Sequence, residues 1–91
     1  MQQEKRSILV VDRSASTVFY MATLLRKLNY SVRTAASAEE ALNSIAGSAP
    51  ALVVTDAVLP GMSGADMLAR IKRNASLSFI PVIVQTASAD P

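Results

Sequence analysis

The chain has 91 residues, a net charge of +2, no Cys and no His. That length suits one small domain, and the missing residue types exclude disulfides, thiolate or imidazole metal sites and His-based catalysis. Hydrophobic residues make up 51 % of the chain, enough for a packed core, whereas a small charge carried by scattered basic residues argues against nucleic acid or an anionic membrane surface as partner.

Residues 1–6 are polar, unlike a signal peptide, and read as a flexible leader to a domain over residues 7–91. Ile8–Val11 is the first strand. Ser14 or Ser16 is placed to cap a helix running to about Leu28, with Val18, Met21, Ala22, Leu25 and Leu28 at helical spacing. Asn29 is suited to a left-handed helix stop. Ser31–Thr34 alternates around Val32 as a short edge strand. Ser37 followed by Glu40 is a capping box, opening a helix that ends near Gly47 and turns Ala41, Leu42 and Ile45 inward. Leu52–Thr55 is the third strand and Ala57–Met62 a loop containing Pro60-Gly61. Ser63 caps a third helix with Ala65, Leu68 and Ile71 on one face. Pro81 opens a last apolar strand, Val82-Ile-Val-Gln-Thr86-Ala87. No stretch is long and apolar enough to cross a bilayer, so the expected location is cytoplasmic, with no membrane contact.

Strand and helix alternate throughout. This pattern predicts right-handed βαβ units and an α/β fold, a doubly wound parallel sheet of the flavodoxin-like order 2-1-3-4-5, with strands one to four supplied. Three of the strands are apolar runs that end in an oxygen-bearing side chain: Asp12, Asp56 and Thr86. Ligands of such sheets bind beyond the carboxyl ends of the strands, at the point where the strand order reverses. Here that point lies between Asp12 and Asp56. Convergent carboxylates repel unless a cation neutralises them. A hard divalent cation such as Mg²⁺ suits an oxygen site, and a carboxylate held there can act as a nucleophile toward phosphoryl groups.

The segments Ile8-Leu-Val-Val-Asp12, Ala35 before Ser37-Ala-Glu-Glu-Ala-Leu42, Leu52-Val-Val-Thr-Asp56-Ala-Val-Leu-Pro60-Gly-Met-Ser-Gly64 and Pro81-Val-Ile-Val-Gln-Thr86-Ala87 together resemble the receiver domain of two-component response regulators, the CheY-like domain. The resemblance covers essentially the whole chain. It implies that Asp56 is the phosphoacceptor, charged by a sensor histidine kinase. It implies that Asp12, Asp56 and the Val58 carbonyl hold Mg²⁺. It further implies that Thr86 is the switch hydroxyl, that Ala87 leaves room for the phosphoryl group, and that Pro60 and Gly64 shape the acceptor loop.

The pattern is broken in two places. The family usually has two consecutive acids after the first strand, but here Asp12 is followed by Arg13, which is always charged and cannot ligate. Either Arg13 swings into solvent and leaves a weak Mg²⁺ site, or its guanidinium pairs with Asp12 or Asp56 in place of the cation. In addition, no residue matches the Lys that ends the family's fifth strand. The expectation is a partial receiver of four strands and three helices, without the last strand and last two helices. An unpaired fourth strand and bare helix faces then favour a homodimer. Three functions compete: a phosphoacceptor switch, a phosphorylation-independent pseudo-receiver that acts by dimerisation or docking, and, ranked last for want of a second acid or base, a phosphohydrolase using Asp56 as nucleophile.

Overall fold

The computed structural model describes residues 6–85. Its elements are β1 (Ser7–Val11), α1 (Ala15–Lys27), β2 (Ser31–Ala35), α2 (Ala38–Gly47), β3 (Leu52–Asp56), α3 (Gly64–Arg73) and β4 (Val82–Gln85). They form one parallel sheet in the order β2-β1-β3-β4, as the alternation predicts. Thr86 and Ala87, like most of the expected leader, lie outside the described residues.

β1 and β3 are the inner strands, with helices on both faces. This is why they read as unbroken aliphatic runs rather than alternating ones. Side chains of opposite parity on β1 feed two cores. Leu9 and Val11 join Ala38, Ala41 and Ile45 of α2 and Met67 and Ile71 of α3 in the larger core. Ile8 and Val10, with Val54, form the smaller one beneath Val18, Met21 and Leu25 of α1.

The helix ends are built from local side-chain chemistry. Ser14, rather than Ser16, caps α1, its Oγ accepting the Thr17 N–H at 3.3 Å. At the other end Asn29 has φ 74°. The Asn29 N–H donates to the Arg26 carbonyl and the Tyr30 N–H to the Leu25 carbonyl, a Schellman motif that satisfies two otherwise orphaned carbonyls. Leu28, expected on the inner face, is the C-cap residue and is 68 % exposed, where it borders an open cleft with Ile8, Leu25 and Leu52. Ser37 Oγ accepts the Glu40 N–H at 3.2 Å. The returning bond of this capping box lands one residue early, with Glu40 Oε1 accepting from Ala36 N–H at 3.0 Å.

α3 is rotated from the expected orientation. Gly64, Met67 and Ile71 are its buried residues, Leu68 is only partly buried, and Ala65 is exposed. The cause is Gly64: its missing side chain lets the first turn of α3 lie against the backbone of Asp56 and Ala57, and that close approach sets which residues face inward.

Arg33 ties three elements together from β2. Its guanidinium donates to the Ser44 carbonyl (3.1 Å) and Ser44 Oγ (3.0 Å), to the Ser48 carbonyl (2.7 Å) and, through Nε, to Ser7 Oγ (3.3 Å). It therefore satisfies carbonyls at the C-terminal end of α2, where a cation is also favoured by the helix dipole. Arg33→Met, which keeps much of the aliphatic stem, is expected to lower unfolding free energy by about 1–3 kcal/mol. The urea midpoint should fall with an unchanged slope.

Candidate functional site

The β1–β3 register pairs Val11 with Thr55. The next residues, Asp12 and Asp56, therefore leave adjacent strands at one level of the sheet's C-terminal rim, as the strand endings predict. Both are half-buried.

Asp12 continues the β1–β2 ladder by one bond, its N–H donating to the Ala35 carbonyl at 3.0 Å. Its Oδ1 accepts the Ser14 N–H at 2.8 Å, so one carboxylate oxygen shapes the entry into α1. Asp56 belongs to β3, one residue further than expected, because it pairs with Gln85 of β4. The Ala57 N–H donates to the Gln85 carbonyl at 2.8 Å, which fixes the chain just past the carboxylate. Asp56 Oδ1 accepts the Val58 N–H at 3.3 Å.

The loop that follows folds back on this strand end. Gly61 has φ 74°, a left-handed turn that glycine adopts without steric cost. Ser63 Oγ accepts the Asp66 N–H at 3.0 Å and caps α3. The Gly64 N–H donates to the Ala57 carbonyl at 3.0 Å. A Cβ on Gly64 would collide with the Asp56 carbonyl oxygen and sit 3.2 Å from Ala57 Cα. Gly64 is thus part of the wall behind Asp56, a closer role than general loop shaping.

The sequence reading missed Thr55. It is the one polar residue in the buried set among the described residues, and its Oγ1 donates to the Asp56 carbonyl at 3.0 Å. The signal was a lone hydroxyl in an otherwise aliphatic strand. Val58, expected to offer its carbonyl to a metal, is in the exposed part of the loop.

Arg13 is exposed. With Asp12, Phe19, Arg26 and Glu40 it lines an open cleft of about 420 Å³ between α1 and the end of β2. Among the described residues no group of three or more His, Cys, Asp or Glu side chains is placed to hold a metal ion. The donor set at the rim is two carboxylates, each with one oxygen already accepting a backbone N–H, plus main-chain carbonyls. A carboxylate-rich magnesium site is not what these residues make.

Residues 8–91 match the family model described as the response regulator receiver domain. The chain belongs to that family. Receiver domains are signalling modules of two-component systems and typically bind Mg²⁺. The chain is 34 % identical over 92 residues to the two-component response regulator ORR6 of Oryza sativa subsp. japonica, covering 98 % of this chain and 54 % of the relative. It is 36 % identical over 87 residues to the probable transcriptional regulator ycf27 of Porphyra purpurea, covering 96 % of this chain and 35 % of that protein. The chain thus spans about a third to a half of these relatives.

Among solved structures, the N-terminal domain of a response regulator receiver protein from Methanoculleus marisnigri JR1 superposes with a TM-score of 0.87 at 36 % identity, over 93 % of this chain and 69 % of that one. The chemotaxis response regulator CheY4 of Vibrio cholerae gives 0.89 at 25 % identity, over 97 % and 73 %. The CheY-like fold is therefore established. The likenesses lend the expected homodimer no support. No helix among the described residues is long and apolar enough to cross a membrane.

Proposed function

We propose that this receiver domain accepts a phosphoryl group on Asp56 from a histidine kinase. The observation that supports this reading best is the placement of Asp56 at the sheet's C-terminal rim, beside the end of the central strand β1. Its carboxylate is held by the Val58 N–H through Oδ1, which leaves Oδ2 as the attacking oxygen. In the transfer, an Asp56 oxygen forms a bond to phosphorus as the P–N bond of the kinase phosphohistidine breaks, and the departing imidazole takes up a proton. Holding the acceptor in place is one of the two things a protein contributes to such a transfer, electrostatic stabilisation being the other. Thr86 follows Gln85 in the chain, one residue beyond the partner of Asp56 in β4. In this reading it is the hydroxyl that reports phosphorylation, and Ala87 beside it provides space.

Arg13 favours a second reading, in which the domain docks a partner without phosphorylation. Intact-mass spectrometry after incubation with acetyl phosphate, with and without Mg²⁺, separates the two. The first reading expects one phosphoryl adduct on the wild type and none on Asp56→Asn. The absence of an adduct from the wild type at any Mg²⁺ concentration rejects it. The second reading expects partner binding to be unchanged by Asp56→Asn.

A further inference from the structure

We propose that Arg13 is a charge-setting residue of the acceptor rim: its positive charge, carried beside Asp12, holds the rim's affinity for divalent cations well below what a carboxylate at that position would give. This rests on Asp12 and Asp56 forming one rim, and does not require that Asp56 be phosphorylated.

The strand register brings two carboxylates to neighbouring strand ends, a local charge of −2 with no third acidic ligand beside it among the described residues. The residue joined directly to Asp12 carries a permanent +1. It lines a cleft with Asp12 that does not extend to Asp56, and the formal charge of Asp12, Arg13 and Asp56 together is −1. A second guanidinium, Arg26, lines the same cleft. The acid across it, Glu40, is already engaged with the Ala36 N–H.

A hard divalent cation is attracted in proportion to the negative charge at its site. Mg²⁺ is also reluctant to shed water and needs near-octahedral oxygen ligands. With one oxygen of each carboxylate committed to a backbone N–H, the rim offers few side-chain oxygens. Exchanging Arg13 for Asp would change the local charge by two and add a ligand. Across a solvated rim at physiological salt this amounts to a change of about tenfold or more in affinity.

The test is direct cation binding with no phosphoryl donor present. Free Mn²⁺ is followed by electron paramagnetic resonance and Mg²⁺ by calorimetry, on wild type, R13Q, R13D and R13D combined with D12N. Arg13 is exposed, so R13D should keep the wild-type circular dichroism spectrum. If it does not fold, R13Q carries the test, with an expected gain of about threefold from removing one charge. The expected order of affinity is wild type, then R13Q, then R13D, with R13D about tenfold or more tighter than wild type and the gain abolished by D12N. R13D affinity within about twofold of wild type, or a gain that survives D12N, overturns the proposal. Tighter cation binding in R13D, with no acetyl phosphate adduct on the wild type at any Mg²⁺ concentration, rejects the phosphoacceptor reading and leaves this proposal standing; a wild-type adduct with unchanged cation binding in R13D does the reverse.

Discussion

Gly64→Ala is expected to destabilise the protein by more than about 3 kcal/mol and to abolish phosphoryl uptake at Asp56, although it adds one methyl group. The added Cβ would overlap the Asp56 carbonyl oxygen and press on Ala57 Cα at 3.2 Å. Both obstacles are backbone, so no side chain can swing aside. Either α3 backs away from the end of β3, or the end of β3 shifts. The first choice breaks the bond from the Gly64 N–H to the Ala57 carbonyl and lifts Met67 and Ile71 out of the larger core. The second moves the acceptor carboxylate itself. For a domain of this size the thermal midpoint should fall by more than about 10 °C. Gly47→Ala is the control. Gly47 is the last residue of α2, and a Cβ there meets nothing within 4 Å. Ala is the better helix former, so that change should be neutral or stabilising by up to about 1 kcal/mol. A Gly64→Ala protein as stable as Gly47→Ala would show that α3 does not rest on the acceptor strand as described.

Much of this architecture was legible in the sequence because the deciding interactions are local. Ser37 and Glu40 satisfy backbone donors within a few residues of themselves. Asn29 ends α1 through its own backbone conformation. Hydrophobic runs bounded by polar residues suffice for a buried parallel strand, and their order suffices for the sheet. Asp12 and Asp56 can be paired from the sequence because strand ends and topology together determine where a rim lies. What was not legible depends on contacts distant in sequence. Gly64 read as loop geometry, yet its role comes from a strand eight residues earlier, approached without a side chain between. Leu28 fits the helical spacing of α1, but spacing alone does not say that the helix ends beneath it. Thr55 looked like part of a strand, and only the fold shows its hydroxyl turned to the Asp56 carbonyl.

The orientation of α3 gives a second large effect, because the two possible faces make opposite predictions. If Ala65, Leu68 and Ile71 formed the inner face, an acid at position 65 would be buried and ruinous, while position 67 would tolerate change. The structure reverses this: Met67 is fully buried with Ile71 and Ile80, and Ala65 is exposed. Met67→Ala should therefore cost about 2–5 kcal/mol, the range for removing a long side chain from a close-packed core and leaving a cavity. Met67→Asp should cost more, since it also buries a charge with no partner. Ala65→Asp places a negative charge in the first turn of a helix whose only acidic residue there is Asp66. A charge in that position is favoured by the helix dipole by about 0.3–1 kcal/mol. Urea unfolding of the three variants measures both faces at once. The midpoint should fall steeply for the two Met67 variants and hold or rise for Ala65→Asp, with the slope unchanged throughout. A fall for Ala65→Asp comparable to that of Met67→Ala would mean that α3 is turned by most of a residue's rotation. Gly64 would then no longer face Asp56, and the acceptor wall would have to be built from a different residue.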